Sequence, residues 1–220
     1  MLALGSWFKK NPLPEGFRID WRGEGHPLDA PDQLMPTYEN RLQVIRLIRE
    51  HKADGVIFPR PYDYHPDHRY TGTLVLDAAY MVTVPKILPD VPHLDKNPMF
   101  LFMSDGFIHP EPFKADVCVE IDDVIEKKID MYHQHTSQMY EWLPYNRGAL
   151  AEVPEGEKER REWLGKTWST RSNAEPFRDK LIELYGNEKG RSIKHCEAFQ
   201  DSGYGTRLTS ENFKEYFPFY

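Results

Sequence analysis

Apolar positions first fall into register at Tyr38, Leu42, Ile45 and Ile48, a stripe of helical spacing that starts after Thr37 and runs to about His51. Thr37 is placed to cap such a helix through its hydroxyl. The period then changes. Gly55-Val56-Ile57-Phe58 is short, β-branched and bounded by glycine and proline, which predicts a buried strand. Residues 73–82 are apolar on nearly every face and read as a buried helix that Pro85 ends. After a proline-punctuated loop from 86 to 98, Met99–Met103 and residues 117–121 read as further strands of the same sheet. Asp122 is the expected cap of a helix whose Ile125, Ile129 and Tyr132 share one face.

The remainder alternates weaker signals. Residues 155–166 carry charges of both signs around Trp163 and Leu164, as a solvated helix face does. Phe177, Leu181, Leu184 and Tyr185, stopped by Gly186, predict an amphipathic helix. Residues 194–199 read as a late edge strand and 210–217 as a closing helix. Residues 5–36 are rich in glycine and proline, with scattered aromatic anchors and one short strand expected at 17–21. Strands separated by helices imply an α/β fold.

Composition narrows the partners. The chain has 220 residues, a net charge of -7 and interspersed charges without basic blocks, so a nucleic-acid surface is not indicated. No apolar run approaches the roughly 18 residues of a membrane span. Met1-Leu2-Ala3-Leu4 is too short for a signal peptide, and a cytoplasmic location is expected. Cys118 and Cys196 lack C-x-x-C spacing and are expected as buried, reduced thiols.

The candidate chemistry lies where the first strand ends, in Arg60-Pro61-Tyr62-Asp63-Tyr64-His65-Pro66-Asp67-His68-Arg69-Tyr70-Thr71-Gly72. The crevice beyond the carboxyl ends of strands is the usual ligand site of an open α/β sheet, and here two imidazoles and two carboxylates fall within six residues. His65-Pro66-Asp67-His68 also suits a polar turn in which Asp67 caps the following helix. A hydrolytic zinc needs three protein ligands and an open position, which two histidines alone do not supply. A second polar cluster, His133-Gln134-His135-Thr136-Ser137-Gln138, ends the helix after Asp122, where imidazole is also favoured by the helix dipole. Tyr140, Trp142 and Tyr145 suit either a core or a sugar-stacking platform, with core the more common use.

The stretch from Arg60 to Gly72, followed by Leu76-Asp77-Ala78-Ala79-Tyr80, resembles a signature of the LmbE-like (PIG-L) family of zinc-dependent N-acetylglucosaminyl deacetylases, and the resemblance extends from about Leu34 through His135-Thr136-Ser137-Gln138 to the C-terminus. It implies a Rossmann-like layered α/β/α fold with a mostly parallel sheet. It also implies His68 as a zinc ligand, His65 as the group that stabilises or protonates the tetrahedral intermediate, and Asp67 as the group that orients His65. Tyr64, His135 and Gln138 are the implied substrate contacts. The implied substrates are N-acetylated sugars or sugar conjugates, hydrolysed by zinc-activated water.

One departure stands out. The family's other ligands and its base come from an earlier Ala-His-Pro-Asp-Asp motif, for which this chain has only His26-Pro27-Leu28-Asp29, with leucine in place of the base and loop-like flanks. The chain is therefore expected to lack the family's first βα units, to bind zinc or another divalent metal weakly by itself, and to form a homo-oligomer that covers the exposed sheet edge. The expected organisation is a single domain over 1–220, with a loop-rich entry at 1–36, a metal-site core at 37–138 and a helical and edge-strand extension at 139–220. The alternative is a catalytically incomplete remnant that serves as an interaction or oligomeric module.

Overall fold

The computed structural model describes residues 34–218. By its internal contacts the described chain divides into two units, one of residues 34–117 and 198–218, the other of residues 118–197. The short strand expected at 17–21 and His26 lie outside the described residues.

In the first unit, α1 (Tyr38–Glu50) is capped by Thr37, whose Oγ1 accepts the Asn40 N–H at 3.2 Å, and leads into β1 (Gly55–Phe58). A loop then opens α2 (Pro66–Met81), and β2 (Met99–Met103) follows residues 82–98, which form neither helix nor strand. β1 and β2 are parallel, from Gly55 opposite Met99 to Phe58 opposite Phe102. Val44, Ile45 and Ile48 of α1 and Leu74, Val75, Ala78 and Ala79 of α2 close on Phe58 and Phe100 of the strands. The helical stripe and the apolar strand thus bury each other, which is why both periodicities were visible. Arg49 is a cation inside this packing, 2% exposed. Its guanidinium donates to the carbonyls of Met81, Val82, Val84, Ile87, Leu88 and Val91 at 2.5–3.2 Å, and so collects the end of α2 and the loop beyond it.

The chain continues through β3 (Val117–Glu120), a 3-10 turn at Asp122–Val124, α3 (Ile125–His133), a π-helical segment at Ser137–Trp142, α4 (Leu143–Asn146), α5 (Glu157–Trp168), α6 (Arg178–Tyr185) and α7 (Asn187–Ser192), then β4 (Cys196–Gly205) and α8 (Phe213–Tyr216). In the second unit Ile129, Met139, Tyr140, Leu164 and Trp168 form the apolar centre under α3 and α5. Gly190 of α7 passes so close to α6 that an added Cβ would lie 2.6 Å from the Cα of Ile182.

Strand order is β1-β2-β4-β3, with β4 antiparallel to β2. The Asp116 N–H donates to the Phe199 carbonyl and the Ile121 N–H to the His195 carbonyl, so numbering rises on one strand as it falls on the other. β3 is therefore antiparallel to β4, and β1, β2 and β3 share one direction. The architecture is α/β, as the alternation of periods implies.

Three local expectations are corrected. The strand read at the edge is longer and lies between β2 and β3, because its polar second half, Gln200 to Gly205, still finds partners on β2. Asp122 does not cap α3. Its carboxylate accepts the N–H groups of Lys194 and His195 and contacts His195 Nδ1 at 2.9 Å. Nor does Asp67 cap α2, where His65 holds the N-cap position and Pro66 the first turn. No helix among the described residues is long and apolar enough to cross a membrane.

Candidate functional site

The candidate site is the turn from the carboxyl end of β1 to the start of α2. Pro66 at the helix entry fixes one dihedral, and His65 before it is extended, at φ -84° and ψ 130°. His65 Nδ1 accepts the Asp67 N–H at 3.3 Å, which satisfies one of the open donors of the first turn. One turn further on, the His68 ring lies 4.7 Å from that of His65, centroid to centroid. Helical geometry thus brings the two imidazoles together.

The carboxylate that serves both is Asp63. Its Oδ1 accepts the backbone N–H of His65 at 2.9 Å and its Oδ2 lies 3.0 Å from His68 Nδ1. Arg69 Nη1 donates to the backbone carbonyls of Asp63 and Tyr64 at 3.0 and 2.7 Å. Asp67, by contrast, accepts the Leu34 N–H through Oδ1 at 3.2 Å. Tyr64 is 74% exposed, its ring in T-shaped contact with both imidazoles and tilted against Phe107.

Beneath the turn, Arg60 is 2% exposed and grips Asp105 bidentately, with both bonds at 2.7 Å. It also donates to the carbonyls of Glu111 and Phe107 at 2.9 Å. Asp105 in turn raises the affinity of Arg60 for its proton. This network ties the loop after β2, which carries Phe107, to the loop after β1, which carries the histidines.

His135 and Gln138 belong to the second unit, at the passage from α3 into the π-helical segment, where the His135 carbonyl accepts the N–H groups of Gln138 and Met139. Gln138 is exposed and His135 half-buried. Of the nearby aromatics, Tyr140 is core, while Trp142 and Tyr145 remain exposed with centroids 6.1 Å apart. A cavity of about 490 Å³ lies in the second unit, bordered by Ile125, Ile129, Arg161, Ser169 and His195, and holds none of the candidate site residues named from the sequence.

Sequence reading placed Asp63 within the stretch but gave it no role; its position two residues before His65, where an Asp side chain can close a turn on the backbone, was the available signal. Nothing local pointed to Asp105, which meets Arg60 from 45 positions away.

No family model matches the chain. It is 32% identical over 133 residues to the diacetylchitobiose deacetylase of Thermococcus kodakarensis, a match that covers 56% of this chain and 48% of that protein. The chain thus spans about half the length of this curated relative. Among solved structures it resembles the N,N'-diacetylchitobiose deacetylase of Pyrococcus horikoshii at 21% identity and a TM-score of 0.47, over 77% of this chain and 53% of that one. It also resembles the 4-carboxy-2-hydroxymuconate hydratase of Pseudomonas putida at 16% identity and a TM-score of 0.52, over 83% and 65%. The last is a likeness of α/β fold.

Proposed function

We propose that the chain forms part of a zinc-dependent N-acetylglucosaminyl deacetylase of the LmbE-like (PIG-L) type, which removes acetyl from N-acetylated amino sugars or their conjugates. The observation that carries this reading is the pair of imidazoles at the end of β1, 4.7 Å apart and braced by one carboxylate. The similarity to a diacetylchitobiose deacetylase supports it.

His68 is the residue that would hold the metal. A bound divalent ion would polarise the acetamide carbonyl and bring the pKa of water toward about 7. Among the described residues no three His, Cys, Asp or Glu side chains gather into a metal-holding group. His68 fits as one ligand, and a tight site needs donors from beyond the described residues. The other residues act on the substrate directly. With Nδ1 of His65 accepting from the backbone, the neutral ring carries its proton on Nε2, a donor suited to an oxygen that gains charge and then to a departing amine. Tyr64 offers an exposed aromatic face beside it, to which a sugar ring can stack. Asp67, His135 and Gln138 are further candidate contributors to orientation and substrate contact.

The test is acetate release from N,N'-diacetylchitobiose by the full chain with added zinc, together with zinc content after dialysis. The expected results are metal-dependent release, a loss of about 10²–10⁴-fold in His65→Ala, and zinc well below one per chain. Unchanged release in His65→Ala and His68→Ala, or none from the unaltered chain with any divalent metal, overturns the deacetylase reading. Stoichiometric zinc retained through dialysis overturns the weak-binding expectation and directs attention to His26, His133 and His135.

A further inference from the structure

We propose that Phe107, on the loop after β2, is a specificity-determining residue. With Tyr64 it forms an aromatic wall beside the paired imidazoles, which selects N-acetylated ligands that present an apolar ring face over acyclic acetamides. The acetamide comes from the deacetylase reading, on which this rests; the ring, and the residue that meets it, come from the geometry of the two loops.

Tyr64 follows β1 and Phe107 follows β2, and because those strands are parallel both loops leave the same end of the sheet. Their rings lie 6.1 Å apart, centroid to centroid, at 57°. The Tyr64 ring is also 6.0 Å from that of His65 and 6.2 Å from that of His68, T-shaped to each. A ligand held at the imidazoles therefore lies alongside Tyr64, with Phe107 as the next ring. Tyr64 is 74% exposed, and Phe107 is half-buried and lies outside the cluster that α1 and α2 close over the strands. Exposed aromatic surface beside a few polar groups is the usual make-up of a small-ligand site.

The wall is held in place before any ligand arrives. The Phe107 N–H donates to Asp105 Oδ1 at 2.9 Å, and the Phe107 carbonyl accepts Arg60 Nη2 at 2.9 Å. Both partners belong to one ion pair, joined by two bonds of 2.7 Å, in which Arg60 is buried. The peptide groups on either side of the Phe107 Cα are thus anchored to the same point of the interior. Tyr64 is anchored through its carbonyl, which accepts Arg69 Nη1 at 2.7 Å. A ring whose backbone is already fixed loses little freedom when a ligand meets it, so more of the contact appears as affinity. Two tilted aromatic rings complement the apolar C–H face of a pyranose, which an acyclic acetamide lacks. The acyl group is the same in either ligand, so the rings discriminate by what the amide nitrogen carries.

The test titrates the full chain, with added zinc, against N,N'-diacetylchitobiose and N-ethylacetamide, and follows the aromatic proton resonances of Tyr64 and Phe107 together with acetate release. The sugar is expected to shift both rings. Phe107→Ala is expected to weaken sugar binding and raise KM by about three- to tenfold with kcat unchanged, while binding of N-ethylacetamide stays as it was. Phe107→Tyr, which keeps a ring, should restore the affinity; Phe107→Leu, which keeps an apolar side chain without an aromatic face, should not. Unchanged sugar affinity in Phe107→Ala overturns the proposal, as does an equal loss for both ligands or full affinity in Phe107→Leu. Phe107 resonances that broaden with protein concentration in the absence of sugar, as a second copy seated on the rings would cause, overturn it too. Should Phe107→Ala fail to fold by circular dichroism, Phe107→Leu and the shifts in the unaltered chain decide the matter. Shifted rings without acetate release overturn the deacetylase reading alone, acetate release with Phe107 unmoved overturns the wall alone, and a sugar that is neither bound nor cleaved overturns both.

Discussion

Replacing Arg60 by methionine removes the cation but keeps much of the volume, and the structure sets the scale of the loss. Four hydrogen bonds end on this guanidinium, two to Asp105 at 2.7 Å and two to the carbonyls of Phe107 and Glu111 at 2.9 Å. Without it, the Asp105 carboxylate, 14% exposed, keeps the Phe107 N–H as a partner but loses its counter-charge. Breaking a buried pair from one side costs about 3–5 kcal/mol. In a chain of this length that corresponds to a fall in melting temperature of roughly 6–20 °C. Urea unfolding of Arg60→Met, Asp105→Leu and the double variant would measure it, with the double variant expected to recover part of the loss because no charge is then left unpaired. Proteolysis within residues 104–116 should accelerate in Arg60→Met, since the same side chain anchors that loop. A loss below about 1 kcal/mol would refute the reasoning, because it would place the pair among exposed ion pairs of little consequence.

Other outcomes follow from the same contacts. Arg49→Ala should cost about 3–5 kcal/mol, because six carbonyls lose one shared donor, and those of Met81, Val82, Val84 and Leu88 are left with a single backbone N–H each; Arg49→Lys, with a compact ammonium in place of a fork, should recover only part of this in the same urea assay. Gly72→Ala should destabilise by about 1–3 kcal/mol and disturb the His65–His68 spacing, since its Cβ would fall 2.7 Å from the Pro59 carbonyl oxygen; an unchanged unfolding midpoint would contradict this. Stability should also decline in alkali. The hydrogen bond to Cys196, and then burial, hold the Cys118 thiol protonated well above its ordinary value of 9.0, and burial does the same for the Tyr132 phenol above 10.0. Both groups keep their protons in the folded chain where the unfolded chain releases them, so their contribution is complete below pH 9 and is lost progressively above it. Urea midpoints at pH 7 and pH 10 would show the difference, and Cys118→Ala should reduce it.

The sequence by itself determined the elements whose burial is one-sided or complete. The stripe through Ile45 and Ile48, the run at 55–58 and the apolar residues 99–103 could each form only one kind of element, because the side chains that must leave water repeat with the period of that element. The same local logic placed the two histidines just beyond a strand. Tertiary structure alone decided the rest. Whether β4 lies inside the sheet depends on which strands pair across the chain, and its polar half carries no periodic signal of that choice. Asp122 was free, by local rules, to cap a helix, yet residues 194 and 195 meet it from 72 and 73 positions away. The Asp63 carboxylate lies 3.0 Å from His68 Nδ1 and the Asp67 carboxylate accepts the Leu34 N–H at 3.2 Å, contacts that spacing along the chain does not show. Hydrogen bonds and ion pairs act within a few ångströms, and a sequence shows that short range only along the backbone.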